Sequence, residues 1–189
     1  MRRLILVVST MTLTLLVAGG VALAATIHCP NSTGLFCYGT SLADTMFGSE
    51  LADYMYGKGG ADTMHGYGSG DYLEGGKGSD HVYGDAGADF NLWGGAYDEG
   101  TNTNNDASDD YVHGGSGNDT VYGGMALGGV DRVYGEGGND LIYASQRRVS
   151  FSPVTKEIID CGAGASDEVY FDKNKDVISN CEIKHPYPS

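Results

Sequence analysis

The 189-residue chain has only four prolines, eleven basic side chains and, beyond its first two dozen residues, no long apolar run. Four prolines cannot support a collagen-type triple helix, although glycines number 31. The 11 lysines and arginines face 25 aspartates and glutamates, for a formal net charge of −14. Such a surface repels phosphate backbones, so a nucleic-acid-binding role is disfavoured. Charged residues make up only 19% and tyrosines number 13, which is not the composition of a solvated disordered tail. After Ala25 no apolar run exceeds Leu141 to Ala144, far too little to span a bilayer. Close C-x-x-C pairs are absent, which disfavours a zinc site. A nucleophile elbow, H-E-x-x-H and a P-loop are absent as well, so the chain is expected not to be an enzyme. What is left is a glycine-rich, acidic, strand-prone chain suited to binding cations.

Arg2 and Arg3 precede a mostly apolar stretch from Leu4 to Val21, closed by Ala22-Leu23-Ala24. A charged start, an apolar middle and an A-x-A site predict a signal peptide over 1–24, cut before Ala25. A retained anchor is the competing reading, because the apolar middle is long for a signal peptide. The expected location is secreted and extracellular, with cell-surface association as a variant. The cysteines suit an oxidising compartment. Cys29 and Cys37 stand just before the glycine-rich region, Cys161 and Cys181 just after it. Four cysteines allow three connectivities. The local pairs are favoured, because a long rigid element between them would hold the two ends apart.

The strongest signal is an interval. Asp44, Asp53, Asp62, Asp71, Asp80 and Asp89 follow one another at nine residues, as do the pairs Asp110 and Asp119, Asp131 and Asp140, and Asp167 and Asp176. Two positions after each stands an apolar residue, such as Met46, Met55, Met64, Leu73 and Val82. Five positions before it stands a glycine in most units, such as Gly57, Gly66, Gly75, Gly84, Gly114 and Gly135. Six residues of turn and three of strand put the central strand residue inward and its neighbours outward. Glycines let the turn adopt positive φ and let carbonyls converge. Carbonyl and carboxylate oxygens are what Ca²⁺ takes, about six to eight of them.

The units Gly75 to Tyr83 and Gly114 to Tyr122 read G-G-x-G-x-D-x-U-x, which resembles the hemolysin-type, or RTX, calcium-binding nonapeptide repeat. The resemblance covers Gly39 to Tyr143 well and carries on weakly to about Cys181. It implies an all-β fold, a parallel β-roll or β-solenoid, in which two nonapeptides make one coil and each turn stacks on the turn eighteen residues away. Asp62 would then meet Asp44 and Asp80, and Asp71 would meet Asp53 and Asp89. It implies several bound Ca²⁺ ions, shared between stacked turns. The residues carried over as metal-binding are Gly57, Gly59, Asp62, Gly66, Gly68, Asp71, Gly75, Gly76, Gly78, Asp80, Gly84, Gly87, Asp89, Asp110, Gly114, Gly115, Gly117, Asp119, Asp131, Gly135, Gly137 and Asp140. The toxicity or proteolysis of some members, which reside in further domains, are not carried over.

Departures from the pattern shape the rest. The Asp44 and Asp53 units lack several of the expected glycines and are read as a capping coil that binds calcium poorly. The Asp89 unit carries one extra residue, so Leu92 rather than Asn91 should point inward. An irregular insertion is expected at about 94–109 and a three-residue bulge within Gly123 to Gly129. Ala144 to Glu157 contain neither glycine nor aspartate, so the ladder is expected to stop there. Asp172 to Asp176 match the start of an EF-hand loop, but Val177 and Ile183 occupy positions that require Gly and Glu.

The chain thus divides into a signal peptide (1–24), an N-terminal cap (25–38), the repeat array (39–144) and a C-terminal cap and tail (145–189), each cap closed by a disulfide. The expected function is a secreted calcium-binding roll whose folding is coupled to extracellular Ca²⁺. The alternative is a calcium-stabilised adhesion protein whose outward aromatic residues, such as Tyr83 and Tyr122, bind cell-surface or matrix glycans.

Overall fold

The computed structural model describes residues 24–32, 35–95, 108–123, 129–144 and 155–187. The expected signal peptide, most of the insertion at 94–109 and the centre of the Gly123 to Gly129 bulge lie outside the described residues. Two parallel sheets of eight strands face each other. One is built, in spatial order, from Ala25–His28, Asp44–Ser49, Thr63–Tyr67, His81–Tyr83, Tyr111–Ser116, Arg132–Gly137, Ile158–Asp160 and Val177–Ser179. The other runs from Phe36–Tyr38 through Tyr54–Gly59, Tyr72–Lys77, Phe90–Gly95, Thr120–Tyr122, Leu141–Tyr143 and Glu168–Phe171 to Ile183–Pro186. Consecutive strands alternate between the sheets, so the chain winds as a parallel β-solenoid of about seven turns, the β-roll expected from the repeat. Among the described residues no helix is long and apolar enough to cross a membrane.

The interior is one apolar side chain deep. Met46, Met64, Val82, Val112, Val133 and Ile159 point in from the first sheet, each at 0% exposure. Met55, Leu73, Leu92, Val121, Ile142 and Val169 point in from the second, also at 0%. Alternation along each short strand turns the flanking residues outward. Each buried side chain contributes about 1.5–3 kcal/mol of burial free energy, a small sum against the entropy of ordering nine residues.

Register shows where units depart from nine. Early coils are 18 residues long, whereas Asp80 to Asp110 spans 30 and Asp119 to Asp140 spans 21. Asn91 takes a left-handed φ of 63° and is passed over, so that Leu92 pairs with Leu73 on one side and Val121 on the other. The extra residue is therefore absorbed as a bulge, and the inward position goes to Leu92 as expected. Cys29 is bonded to Cys37 and Cys161 to Cys181. All four sulfurs lie in the core column near the ends of the roll.

The bulge assignment makes a test. Leu92→Ala should cost about 2–5 kcal/mol of stability through the cavity it leaves. Asn91→Gly should be neutral or stabilising, since glycine accepts positive φ without strain. Denaturant unfolding of the two variants in calcium separates them, and an Asn91→Gly cost as large as that of Leu92→Ala contradicts the register.

Candidate metal centre

The nine-residue interval becomes two columns of buried carboxylates, one at each edge of the facing sheets. Asp44 donates its backbone N–H to Asp62 Oδ1 (2.7 Å), Asp62 to Asp80 Oδ1 (2.7 Å), Asp80 to Asp110 Oδ1 (2.9 Å) and Asp110 to Asp131 Oδ1 (2.9 Å). In the other column Asp53 donates to Asp71, Asp71 to Asp89, Asp89 to Asp119, Asp119 to Asp140 and Asp140 to Asp167, all at 2.8–2.9 Å. The stacking expected for Asp62 and Asp71 is therefore present, and the aspartates of the two columns, Asp44 to Asp131 and Asp53 to Asp167, are all at most 2% exposed.

The expectation that the ladder stops at Ala144 to Glu157 is overturned. The backbone N–H of Asp131 donates to Glu157 Oε2 at 2.6 Å, and that of Glu157 to Asp176 Oδ1 at 3.1 Å. The other column ends with Asp167 donating to Glu182 Oε2 at 3.0 Å. A search for aspartate alone misses a glutamate carboxylate in the same column. Asp176 is thus a ladder residue and not part of an EF-hand.

The second oxygen of each carboxylate distinguishes inner coils from end coils. Oδ2 of Asp62, Asp71, Asp89, Asp119, Asp140 and Asp167 is buried and has no hydrogen-bond partner. Asp44 Oδ2 instead accepts from Thr40 N (2.6 Å) and Thr40 Oγ1 (2.9 Å), and Asp53 Oδ2 from Ser49 N (2.7 Å) and Ser49 Oγ (3.0 Å). At the far end Asp176 Oδ2 accepts from Asp172 N at 2.6 Å. The cause lies in the second residue of each turn. In inner units it is left-handed, at Lys58 (φ 77°), Tyr67 (75°), Gly76 (113°), Asp85 (71°), Gly115 (107°) and Glu136 (70°). Thr40 and Ser49 are not left-handed, and both turn amide and hydroxyl onto the carboxylate.

Carbonyl oxygens gather at the same places. A Cβ on Gly114 would lie 2.7 Å from both Asp119 Oδ2 and the Gly135 carbonyl of the next coil. Gly57, Gly66, Gly75, Gly84 and Gly135 are crowded in the same way, each by its own aspartate and a carbonyl from the next coil. The fourth turn position is also left-handed, but it falls on Gly60, Ser69, Gly78, Gly87, Gly117 and Gly138. Gly59, Gly68 and Gly137, named from the sequence, are neighbours of that position. A Cβ on Gly59 or Gly137 would meet nothing closer than 3.5 Å. The left-handed residue stands two before each of these aspartates, a constant offset that the doubled glycines Gly59-Gly60 and Gly137-Gly138 obscure. Asp110 and Asp131 are in the column, while part of each of their turns lies outside the described residues.

Burial pushes Asp62 and Asp119 up to about 6 and Asp71, Asp89 and Asp140 up to about 7. The amide from the preceding coil holds each down in part. Neighbouring carboxylates raise them again, as Asp89, Asp53 and Asp85 do for Asp71. Asp131 and Glu157 face each other across one step, and both are raised by burial. A buried carboxylate with one orphaned oxygen is costly, and it can be relieved by a proton or by a cation. Among the described residues no three Asp, Glu, His or Cys side chains converge on one point. A cation held here would therefore need main-chain carbonyls beside its carboxylates. Orphaned carboxylate oxygens with converging carbonyls form an all-oxygen donor set that fits Ca²⁺.

The chain matches the RTX calcium-binding nonapeptide repeat in four copies, over residues 38–69, 65–90, 106–126 and 125–146. No curated protein and no solved structure matches it.

The raised carboxyls set a pH dependence. A folded pKa above the unfolded value of about 3.9 means that the folded state holds protons the unfolded state has released. Metal-free stability is therefore fullest below pH 4 and falls as pH rises to about 7. Calorimetry in chelator should show an unfolding transition near pH 5 that weakens or is lost near pH 8. A metal-free stability that is flat or rises over that range contradicts the burial of these carboxylates.

Proposed function

The repeat array of this chain belongs to the RTX calcium-binding nonapeptide repeat family, and from that premise we propose a secreted calcium-binding roll, not an enzyme, whose folding is coupled to extracellular Ca²⁺. The single observation that carries the coupling is the set of orphaned Oδ2 atoms in the two columns, at Asp62 in one and at Asp71, Asp89, Asp119 and Asp140 in the other. Those oxygens, with carbonyls such as that of Gly135, would hold the ions. When bound, Ca²⁺ supplies the positive charge that buried carboxylates lack at neutral pH.

At a free Ca²⁺ of about 100 times the dissociation constant, each independent site adds roughly 2.7 kcal/mol. With one apolar residue per strand inside, a few such sites decide between folded and unfolded, so binding and folding become one event. The end coils differ. Thr40 and Ser49 already satisfy Asp44 and Asp53, which supports a first coil held by Cys29–Cys37 instead of by calcium. Export is supported by the charged, apolar and A-x-A pattern of residues 1–24 and by two disulfides.

Circular dichroism of the mature chain in chelator tests the coupling. The expected result is a weak strand signal at pH 7.5 that rises steeply when Ca²⁺ is restored. An unchanged spectrum and melting curve contradict it.

A second reading, calcium-stabilised glycan binding, is favoured by the outward rings. Tyr83 stacks between His65 and His113 at 4.6 and 4.8 Å, and Tyr122 between Trp93 and Tyr143 at 3.8 and 5.0 Å. Such ladders also contribute cross-strand packing. A glycan array that responds to the calcium-loaded protein and weakens with Tyr83→Ala and Tyr122→Ala supports this reading, whereas a blank array contradicts it.

A further inference from the structure

Between Ala25 and Asp131 the chain has only two basic residues, Lys58 and Lys77. Both line one surface cavity of about 580 Å³, together with Thr40, Ser41, Gly59 and Gly60. Coil stacking explains the convergence. The second and third turn positions of three successive coils read Thr40-Ser41, Lys58-Gly59 and Gly76-Lys77, with Lys58 paired to Gly76 and Gly59 to Lys77. Two glycines stand diagonally between the lysines, and their missing side chains leave the room. Neither lysine takes part in an ion pair among the described residues. In a chain of net charge −14, an open two-lysine pocket with two hydroxyl-bearing residues has a chemistry opposite to its surroundings.

The pocket adjoins a patch of exposed rings. Lys58 Nζ lies 5.0 Å over the Tyr38 ring. Tyr38 is 50% exposed and Phe36 55%. Phe36 meets Tyr54 at 5.4 Å, Tyr38 meets Tyr56 at 5.4 Å, and Tyr56 meets Tyr72 at 5.4 Å. The outer face of three adjacent coils therefore carries a terrace of rings tilted by 27–56° against one another, at a spacing close to the strand separation of about 4.8 Å. Rings of this kind present apolar faces and phenolic hydroxyls together.

We propose that the Lys58 and Lys77 pocket and the ring terrace beside it form one binding site for an acidic polysaccharide, a chain of sugars carrying carboxylate or sulfate groups. Sugar C–H groups pack on the exposed rims of the Phe36, Tyr38 and Tyr56 rings, while the anionic groups pair with the two ammonium groups and the Ser41 hydroxyl, the Thr40 hydroxyl being already donated to Asp44. Terrace and pocket supply different halves of the recognition. A neutral glycan lacks the charge, and a small anion lacks the rings. The proposal deepens the glycan reading above and rests on it.

The test titrates the full mature chain, loaded with Ca²⁺, with four probes: a uronic-acid hexamer, a sulfated glucan, a neutral glucan of equal length and inorganic sulfate. The acidic oligomers should bind. Their affinity should fall by about tenfold or more in Lys58→Gln/Lys77→Gln, the loss expected for charged hydrogen bonds, and in Tyr38→Ala/Tyr56→Ala. It should also weaken in high salt. Lys173→Gln/Lys175→Gln, the same change of net charge elsewhere, should leave it unchanged.

Acidic oligomers that bind the lysine variant as well as the wild type are held by calcium bridging, and that result overturns the site. Inorganic sulfate binding as tightly as the oligomers removes the role of the terrace and overturns it too. Neutral glucan binding that ignores the lysines overturns the acidic site but leaves a glycan surface standing, and no binding by any probe removes both.

Discussion

The turns of Asp62, Asp71, Asp89, Asp119 and Asp140 each take a carboxylate out of water and give it one amide partner, leaving its second oxygen with none. Asp71 is typical: fully buried, accepting from the Asp53 amide at 2.8 Å, and pushed up to about 7 by burial and by Asp89, Asp53 and Asp85 around it. An apolar core one residue deep cannot offset many such groups. The rest of the molecule is arranged around that deficit. The glycine that opens each unit has no Cβ because an aspartate oxygen and a neighbouring carbonyl occupy its place. The second turn residue is left-handed even where it is Lys58, Tyr67 or Glu136, a conformation that side chains other than glycine adopt at some cost.

The ends of the roll meet the same constraint differently. Thr40, Ser49 and Asp172 donate to the free oxygens of Asp44, Asp53 and Asp176, and a disulfide lies near each end. Terminal coils of a solenoid have a neighbour on one side only. Local hydrogen bonds and a covalent link keep them folded where the stack cannot. The first coil thus satisfies its carboxylates internally, whereas Asp62, Asp71, Asp89, Asp119 and Asp140 each keep an oxygen without a partner.

Much of this was legible in the sequence because stacking turns a linear interval into a spatial column. The nine-residue spacing of Asp44 to Asp89, together with the two-unit coil that the resemblance implies, paired Asp62 with Asp80 and Asp71 with Asp89. The apolar residue two positions on named the core, and the extra residue after Asp89 located the bulge at Asn91. Glu157 escaped because the column selects a carboxylate oxygen at a given height, and a longer side chain reaches it from a different backbone pattern. Gly60 and Gly138 escaped because each follows another glycine, and composition cannot say which of two glycines is left-handed. The orphaned oxygens carry no sequence mark, since they depend on whether a turn residue faces its carboxylate, as Thr40 does, or turns away.

The most direct measurement is a crystal structure of the mature protein grown in calcium, with anomalous scattering to place the ions. The account predicts cations beside Oδ2 of Asp71, Asp89, Asp119 and Asp140, and none beside Asp44 or Asp53, whose oxygens Thr40 and Ser49 already fill. Inner aspartates without ions, or end coils occupied as fully as the centre, would contradict it.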